Sequence, residues 1–249
     1  MLTQPLLGLH GVVFRLPERP EAGGTHAEPR LEIGPIHLTL HRHERVLLDC
    51  ESDAIYDAFL RVLSSDVHLI QGRLVEHERI RLQTDRHLRE GLNLNRSIRE
   101  LNAAGPLPDS IWLGGRRRSL FTVMDRLGIL THHVHGPLKM EPAGVFEKYW
   151  ALRFVMSEAD LLIGREIFAL DDPAIREVIA LRWGDLRGAL IYAGAAERIP
   201  APPHWTLGLH ADGRATVEGA PRGSPTSNAG QEPGDGGDSG SDPDSKGPP

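Results

Sequence analysis

The fold is decided by residues 43–65, which read HERVLLDCESDAIYDAFLRVLSS. The apolar run from Arg45 to Leu48 predicts a short buried strand, and Ala58 to Leu63 opens a predicted helix with its apolar residues on one side. A loop of about eight residues connects the two predicted elements. A strand, a loop of that length and a helix form the frame of a phosphate-binding loop, whose consensus is G-x-x-x-x-G-K-S/T.

The predicted loop, Cys50 to Ala58, contains neither glycine nor lysine. Glycines allow backbone amides to turn toward phosphate, and the lysine brings positive charge to the outer phosphates. Tyr56 stands at the lysine position, and Glu51, Asp53 and Asp57 add carboxylates. Like charges 4 Å apart repel by about 4 kcal/mol at an effective dielectric near 20, so three carboxylates would weaken triphosphate binding strongly. An ordinary strand-to-helix connection explains this stretch as well.

Composition restricts the class of protein. A chain of 249 residues suffices for one large α/β domain or two small ones. Its net charge of −6 argues against a general nucleic-acid binder. The single cysteine, Cys50, excludes an internal disulfide framework and is typical of a reducing compartment. The sequence shows no signal peptide and no apolar run of membrane-spanning length, so we expect a cytoplasmic protein.

The pattern outside the central stretch predicts a mixed α/β fold. Alternating residues at 6–16 and 31–40 predict an N-terminal antiparallel β layer, and residues 95–140 are expected to be mostly helical. Central strands are predicted near 45–48, 159–164 and 188–193. Residues 221–249 consist almost entirely of Gly, Pro, Ser and Asp. We therefore expect one domain over residues 1–220 and a disordered tail over 221–249.

The order of these pieces resembles the nucleotide-binding subunit of an ABC transporter, especially those serving exporters of capsular polysaccharide or O-antigen. The resemblance covers roughly residues 6–219 and implies a P-loop NTPase-like (ABC ATPase-like) mixed sheet with an N-terminal antiparallel β layer and a helical subdomain. The matching blocks are Leu31 to Leu63, Leu127-Gly128, Pro137 to Lys139, Asp160 to Pro173 and His210 to Gly219.

The resemblance assigns functional positions, and the nucleotide-contacting ones carry the wrong residues. Tyr56 replaces the phosphate lysine, and Asp57 and Ala58 replace hydroxyl residues, one of which would bind magnesium. Leu16 falls where an aromatic residue would stack on adenine, with Phe14 close by. The degenerate P-loop comprises Cys50, Ser52, Ala54, Tyr56, Asp57 and Ala58.

Three further motifs are degenerate on the same resemblance. Pro142, Ala143 and Gly144 take the place of the signature turn, whose serine is lost. Arg89 lies near the position of the Q-loop glutamine, and Gly194 stands at the switch-histidine position.

The Walker B and D-loop region keeps only part of its pattern. Arg165 replaces the Walker B aspartate, which puts a cation where Mg²⁺ would be held. Glu166 and Asp172 match the catalytic glutamate and the D-loop aspartate. Phosphoryl transfer depends on lysine, Mg²⁺ and backbone amides, so Glu166 would have nothing to act on.

These residues predict a pseudo-ATPase subunit of an ABC-type exporter with weak or no ATP binding and no Mg²⁺. The expected partners are an ABC permease, an intact ATPase subunit, or both, in a heterodimer at the inner face of the plasma membrane. Two alternatives stay open: an active ATP-hydrolysing exporter subunit with atypical motifs, and a free-standing scaffold on the same fold.

Two other clusters each allow two interpretations. His132, His133 and His135 could bind a metal, but no further cysteine or acidic ligand is indicated, and a polar turn explains them more simply. Arg116 to Arg118 could contact anionic lipid or a permease loop, whereas a solvated charge run explains them without a partner.

Overall fold

The computed structural model describes residues 5–16, 31–66, 68–77, 79–194 and 202–219. Its strands are β1 Pro5–Arg15, β2 Glu32–His41, β3 Arg45–Cys50, β4 Gln71–Glu76, β5 Leu82–Thr84, β6 Ser110–Leu113, β7 Arg116–Ser119, β8 Leu161–Gly164, β9 Ala189–Tyr192, β10 Trp205–Leu209 and β11 Ala215–Gly219. Its α-helices are α1 Asp53–Leu63, α2 Asp85–Glu90, α3 Ile98–Ala104, α4 Leu120–Arg126, α5 Val145–Val155, α6 Glu166–Ala169 and α7 Pro173–Gly184. Short 3-10 helices cover Thr131–Val134 and Leu138–Met140.

A six-stranded mixed sheet in the order β11-β10-β3-β9-β8-β5 forms the centre. The strands β10, β3, β9, β8 and β5 run parallel, and β11 pairs antiparallel with β10 at the edge. Every residue of β8 and β9 is buried, because both faces of these strands are covered. Continuous apolar runs are typical of parallel strands of this kind, and the predicted strands at 45–48, 159–164 and 188–193 are confirmed.

The two faces of this sheet belong to two hydrophobic cores. Leu161, Ile163 and Ile191 pack toward the N-terminal layer. Their neighbours Leu162 and Leu190 pack on the opposite face, among the helices. The alternation follows from the period of two along a strand.

The N-terminal layer is a three-stranded antiparallel sheet in the order β2-β1-β4, which confirms the prediction from residues 6–16 and 31–40. Helix α1 lies between this layer and the central sheet. Phe59 of α1 is fully buried, and its ring lies 6.2 Å from the ring of Phe14 in β1. The stretch at 43–65 thus connects both sheets.

The helical part contains α2 to α5 and α7. Residues 110–119, however, form a hairpin. The prediction that residues 95–140 are mostly helical is wrong for this segment. Strands β6 and β7 pair antiparallel across Gly114 and Gly115, which have φ of 62° and 72°. Two positive φ angles in a two-residue loop match the right-handed twist of the strands, and glycine adopts them at no steric cost.

Strands β10 and β11 form a C-terminal hairpin that turns around Asp212-Gly213, inside the matching block His210 to Gly219. The predicted tail, residues 221–249, lies outside the described residues. Within the described ranges, no helix is long and apolar enough to cross a membrane.

Removing the Phe59 ring tests the role of α1 as the link between the two sheets. We expect Phe59→Ala to lower the free energy of unfolding by about 3–5 kcal/mol, because it leaves a cavity in a fully packed site. The matched control Phe121→Ala removes a ring that is 78% exposed, and it should change stability by less than about 0.5 kcal/mol. Urea unfolding followed by circular dichroism measures both, and equal effects would contradict this packing.

Candidate functional site

The carboxyl ends of β3, β9 and β8 meet at one edge of the central sheet and border a cavity of about 380 Å³. Parallel α/β sheets commonly place their ligand sites at this edge. The cavity brings together Cys50, Tyr56, Arg165 and Gly194, four residues that the sequence resemblance placed in three motifs. Its other lining residues are Leu47, Leu48, Asp49 and Ala193.

The connection between β3 and α1 differs from the predicted loop. Strand β3 ends at Cys50 and α1 begins at Asp53, so the prediction of about eight loop residues is wrong. The side chain of Ser52 caps the helix by accepting a hydrogen bond from the Ile55 amide at 3.3 Å. Ala54, Tyr56, Asp57 and Ala58 lie inside the helix. The Tyr56 amide donates to the Ser52 carbonyl at 3.2 Å, so the helical hydrogen bonds begin at this residue. No glycine-lined backbone curve is present in this connection to surround a phosphate.

Arg165 forms an ion pair and an aromatic ring contact at the border of the cavity. Its Nη2 lies 2.5 Å from Oδ1 of Asp53, and its guanidinium lies 4.8 Å from the centroid of the Tyr56 ring. The Asp53 carboxylate raises the pKa of Arg165 against the opposing effect of desolvation. A guanidinium over an aromatic face is stabilised by about 0.5–2 kcal/mol, and an exposed ion pair adds up to about 1 kcal/mol.

Two polar groups of the cavity, the Cys50 thiol and the Tyr56 phenol, carry no charge at neutral pH. Burial raises the pKa of the Cys50 thiol to about 12, although Arg165 opposes the shift. Burial also raises the pKa of Tyr56 well above its usual value. A thiol that stays protonated is a poor nucleophile, so Cys50 is a structural side chain.

Glu166, which the resemblance placed at the catalytic-glutamate position, is held by a cation. Its Oε2 lies 2.5 Å from Nη1 of Arg89. Arg89 also lies over the ring of Trp150, with its guanidinium carbon 5.4 Å from the ring centroid. Arg89 is in α2, beyond the end of β5, and its role is to pair with Glu166. Both side chains are close to half exposed, so the pair contributes up to about 1 kcal/mol.

Asp85 is a site residue that the sequence did not indicate. It follows β5 directly, is 1% exposed, and accepts hydrogen bonds on Oδ2 from the amides of Arg165 at 2.8 Å and Ile167 at 2.9 Å. A third amide, that of Arg86, donates to Oδ1 at 2.8 Å. Burial raises the pKa of Asp85, and these hydrogen bonds offset part of the rise. Asp85 therefore fixes the backbone from which Arg165 projects.

Thr84 caps α2 by accepting a hydrogen bond from the His87 amide. The Thr84-Asp85 pair is thus a helix-start signal, and this signal could have drawn attention to Asp85.

The signature-like residues lie outside the cavity. Gly144 has φ of 92° and occupies the position before α5, where a left-handed conformation favours glycine. Pro142 and Ala143 precede it and are exposed. They form the turn that starts α5.

Asp172 has a structural role in the chain itself. Its Oδ1 accepts hydrogen bonds from the amides of Ala174 at 2.8 Å and Ile175 at 3.1 Å, which caps α7. Lys148 lies 3.8 Å from its other oxygen. A helix cap of this kind stabilises by about 1 kcal/mol, which explains the aspartate without a catalytic role.

Near the position predicted for base stacking, the described residues offer no exposed aromatic ring. Phe14 is completely buried against Phe59, and Leu16 is a partly buried aliphatic residue. Gly194 follows β9 with φ of 134° and brings no side chain to the cavity.

The three histidines serve a local turn. Nδ1 of His133 accepts a hydrogen bond from the Leu130 amide at 3.1 Å, and the His132 ring meets the His133 ring edge-on at 4.2 Å. Among the described residues, no three His, Cys, Asp or Glu side chains are grouped in a way that could hold a metal ion.

No family model matches the chain, and no curated protein is similar to it in sequence. Solved structures do share its fold. An inward-facing metal-chelate-type ABC transporter matches with a TM-score of 0.59 at 12% identity, over 87% of this chain and 84% of that one. A bacterial Atm1-family ABC exporter with ATP bound matches with a TM-score of 0.61 at 14% identity, over 88% of this chain and 40% of the exporter chain. The fold is therefore ABC-related.

Magnesium and a nucleotide, which this fold implies, do not fit the residues present. The cavity holds a guanidinium already paired with Asp53, where a metal carboxylate would be needed. Tyr56 is neutral, so no cation is left to meet outer phosphates from the lysine position. The shortened β3–α1 connection removes the backbone cradle as well.

Removing the buried carboxylate of Asp85 tests whether its hydrogen bonds fix the backbone of Arg165. We expect Asp85→Ala to lower the free energy of unfolding by about 3 kcal/mol, because buried amides lose their acceptor. The control Asp57→Ala breaks an exposed ion pair with Arg86 and should cost less than about 1 kcal/mol. Chemical denaturation of both variants supplies the comparison. Similar small losses would show that Asp85 does not hold this segment.

Proposed function

We propose that this chain is a pseudo-ATPase, a nucleotide-binding-domain-like subunit of an ABC-type exporter that contributes structure or regulation instead of ATP hydrolysis. The observation that carries the proposal is the Arg165–Asp53 ion pair stacked on Tyr56. These three side chains stand at the edge of the sheet where the fold has its ligand site, and they satisfy one another.

The charge distribution supports the loss of nucleotide binding. An active site of this type needs a cation near the outer phosphates and a carboxylate near Mg²⁺. Here neither position has the required charge, because a neutral Tyr56 replaces the cation and Arg165 replaces the carboxylate. Asp53 adds a carboxylate at the start of α1, where a phosphate would otherwise meet the positive end of the helix dipole.

The state of Glu166 supports the loss of hydrolysis. A general base must reach the proton that it removes, and its carboxylate must be free to accept it. The 2.5 Å contact with Arg89 engages one oxygen of the carboxylate. We therefore infer that the chain lacks three groups that ATP hydrolysis needs: a bound metal, a cation for the outer phosphates and a free general base.

A role in transport follows from the ABC-related fold together with the sequence resemblance. We infer that the partners are an ABC permease, an intact ATPase subunit, or both, and that the chain is peripheral at the cytoplasmic face of a membrane through them. Polysaccharide export rests on the sequence resemblance alone. In a heterodimer the partner subunit would hydrolyse ATP, and this chain would complete the dimer without hydrolysing it.

The purified chain should show no ATP hydrolysis above background, because lysine, metal carboxylate and phosphate cradle are absent together. Glu166→Gln should leave that background unchanged. A phosphate-release assay with an intact ABC ATPase as positive control measures both. Steady turnover that Glu166→Gln abolishes would show that the chain is an active enzyme.

Affinity purification of the chain from native membranes tests the subunit role. We expect a permease or an intact ATPase to co-purify, and we expect Tyr56→Lys to leave the complex intact, since assembly does not depend on nucleotide held by this chain. Recovery of the chain alone would contradict the exporter role and favour the free-standing scaffold.

A further inference from the structure

A second cavity, of about 260 Å³, lies at the amino ends of β3 and β9, opposite the edge of the sheet that holds Arg165. Its lining residues come from the turn before β3, from the hairpin β6–β7 and from the connection between α7 and β9. They are His43, Trp112, Gly184, Asp185 and Arg187. This volume is just below the range of about 300–1,000 Å³ that small-molecule sites usually have, so the cavity suits a ligand of a single ring.

Hydrogen bonds between these segments fix the walls of the cavity. The His43 amide donates to the Gly188 carbonyl at 2.9 Å, and Nδ1 of His43 lies 2.7 Å from the Leu186 carbonyl oxygen. The Gly115 amide donates to Oδ2 of Asp185 at 2.8 Å. His43 also has a φ of 68°, which is uncommon for a residue other than glycine and persists only where the surrounding contacts hold it.

Arg182 connects two of the same segments through one nitrogen. Its Nη1 donates to the carbonyl oxygens of Trp112 at 3.3 Å and of Asp185 at 3.2 Å, and its Nη2 donates to that of Ser157 at 3.2 Å. Desolvation lowers the pKa of Arg182, and no carboxylate forms an ion pair with it in the described part of the chain. Burying a cation without a counter-ion is costly. This cation sets the positions of Trp112 and Asp185, as binding sites require of their contact residues.

Three polar groups of the cavity have no hydrogen-bond partner among the described residues. They are Oδ1 of Asp185, Nε2 of His43 and the guanidinium of Arg187. Because a carbonyl oxygen can only accept, Nδ1 of His43 carries a proton, and Nε2 is an acceptor in the neutral imidazole. The lining therefore offers two acceptors and one fork of donors. Beside them the indole of Trp112 is 44% exposed and leaves an apolar ring open.

A pyranose sugar is the class of ligand that satisfies all four groups. Its hydroxyls can donate to the carboxylate and the imidazole and accept from the guanidinium. Its C–H groups are polarised by the neighbouring oxygens, so the apolar face of the sugar ring is attracted to the partly negative face of the indole. Asp185 and Arg187 contribute one charge of each sign, so a neutral ligand matches the cavity better than a phosphate or a nucleotide does.

We propose that this cavity binds a neutral pyranose, whose ring stacks on Trp112 and whose hydroxyls bond to Asp185, His43 and Arg187. This inference is independent of the proposed function, because it involves no residue of the cavity at the carboxyl ends of the strands. It holds whether or not the chain hydrolyses ATP.

Nuclear magnetic resonance of the full-length chain tests the proposal with four probes, the methyl glycosides of glucose, galactose, mannose and N-acetylglucosamine. The indole N–H resonance of Trp112 is assigned by its absence in Trp112→Phe. We expect at least one glycoside to shift this resonance saturably and to receive saturation transfer from the protein. A single sugar ring has about 12 non-hydrogen atoms, and the binding energy per atom of small ligands then gives a dissociation constant of about 1–10 mM.

Two variants locate the binding in this cavity. Arg187→Gln removes the donor fork, and we expect about tenfold weaker binding, since a hydrogen bond to a charged group is lost. Trp112→Leu removes the stacking ring, and we expect it to abolish saturation transfer to the glycoside. The matched control Arg99→Gln changes an exposed arginine of α3 that does not line the cavity, and it should leave the dissociation constant unchanged. Thermal unfolding followed by circular dichroism verifies that all three variants are folded.

The absence of a saturable Trp112 shift with all four glycosides up to about 50 mM would overturn the proposal. Equal affinity of the native chain and Arg187→Gln would overturn it as well, because the sugar would then lie elsewhere on the surface. Adenosine and inorganic phosphate are titrated in the same way. Binding of either probe without binding of any glycoside would show that the cavity selects a base or an anion, and the assignment to sugars would be wrong.

Discussion

The guanidinium of Arg165 is the group on which the interpretation of this site depends. It lies 2.5 Å from Asp53 and over the ring of Tyr56, and its backbone amide is held by the buried carboxylate of Asp85. Three segments distant in sequence thus converge at the edge of the sheet, where Arg165 is the cation. Because Arg165 pairs with groups of the same chain, it is not a free cation for a phosphate at this edge. The same side chains would have to separate before a ligand could enter.

Much of the fold could be predicted from the sequence, because its central strands are buried on both faces. The runs at Leu161–Gly164 and Ala189–Tyr192 are apolar throughout and too short for helices, which leaves one interpretation. The hairpin at 110–119 was missed for the opposite reason. Arg116 to Arg118 are largely exposed and show no alternation, and the pairing with Ser110 to Leu113 is the only sheet contact of this segment among the described residues. The Gly114-Gly115 pair was its remaining signal.

The site was predicted only in part, because its decisive contacts are tertiary. The sequence indicated that Tyr56 and Arg165 break the nucleotide-binding pattern, but Asp53 and Arg165 are 112 residues apart. No local pattern shows that they pair. The length of the β3–α1 connection was misjudged because Ser52 starts the helix early, and a cap followed by an acidic residue outweighs a match to a loop consensus. Asp85 was missed because two of its partners are backbone amides about 80 residues away, and the Thr84-Asp85 helix-start signal does not indicate that pairing.

Titration of the purified chain with ATP in the presence of Mg²⁺ tests the central claim most directly. If the Arg165–Asp53 pair and Tyr56 occupy the site as described, calorimetry should detect no saturable binding up to about 1 mM nucleotide, which corresponds to less than about 4 kcal/mol of binding free energy. Saturable binding in the micromolar range that requires Mg²⁺ would contradict the account, because these side chains would then have to yield their place to the metal and the phosphates.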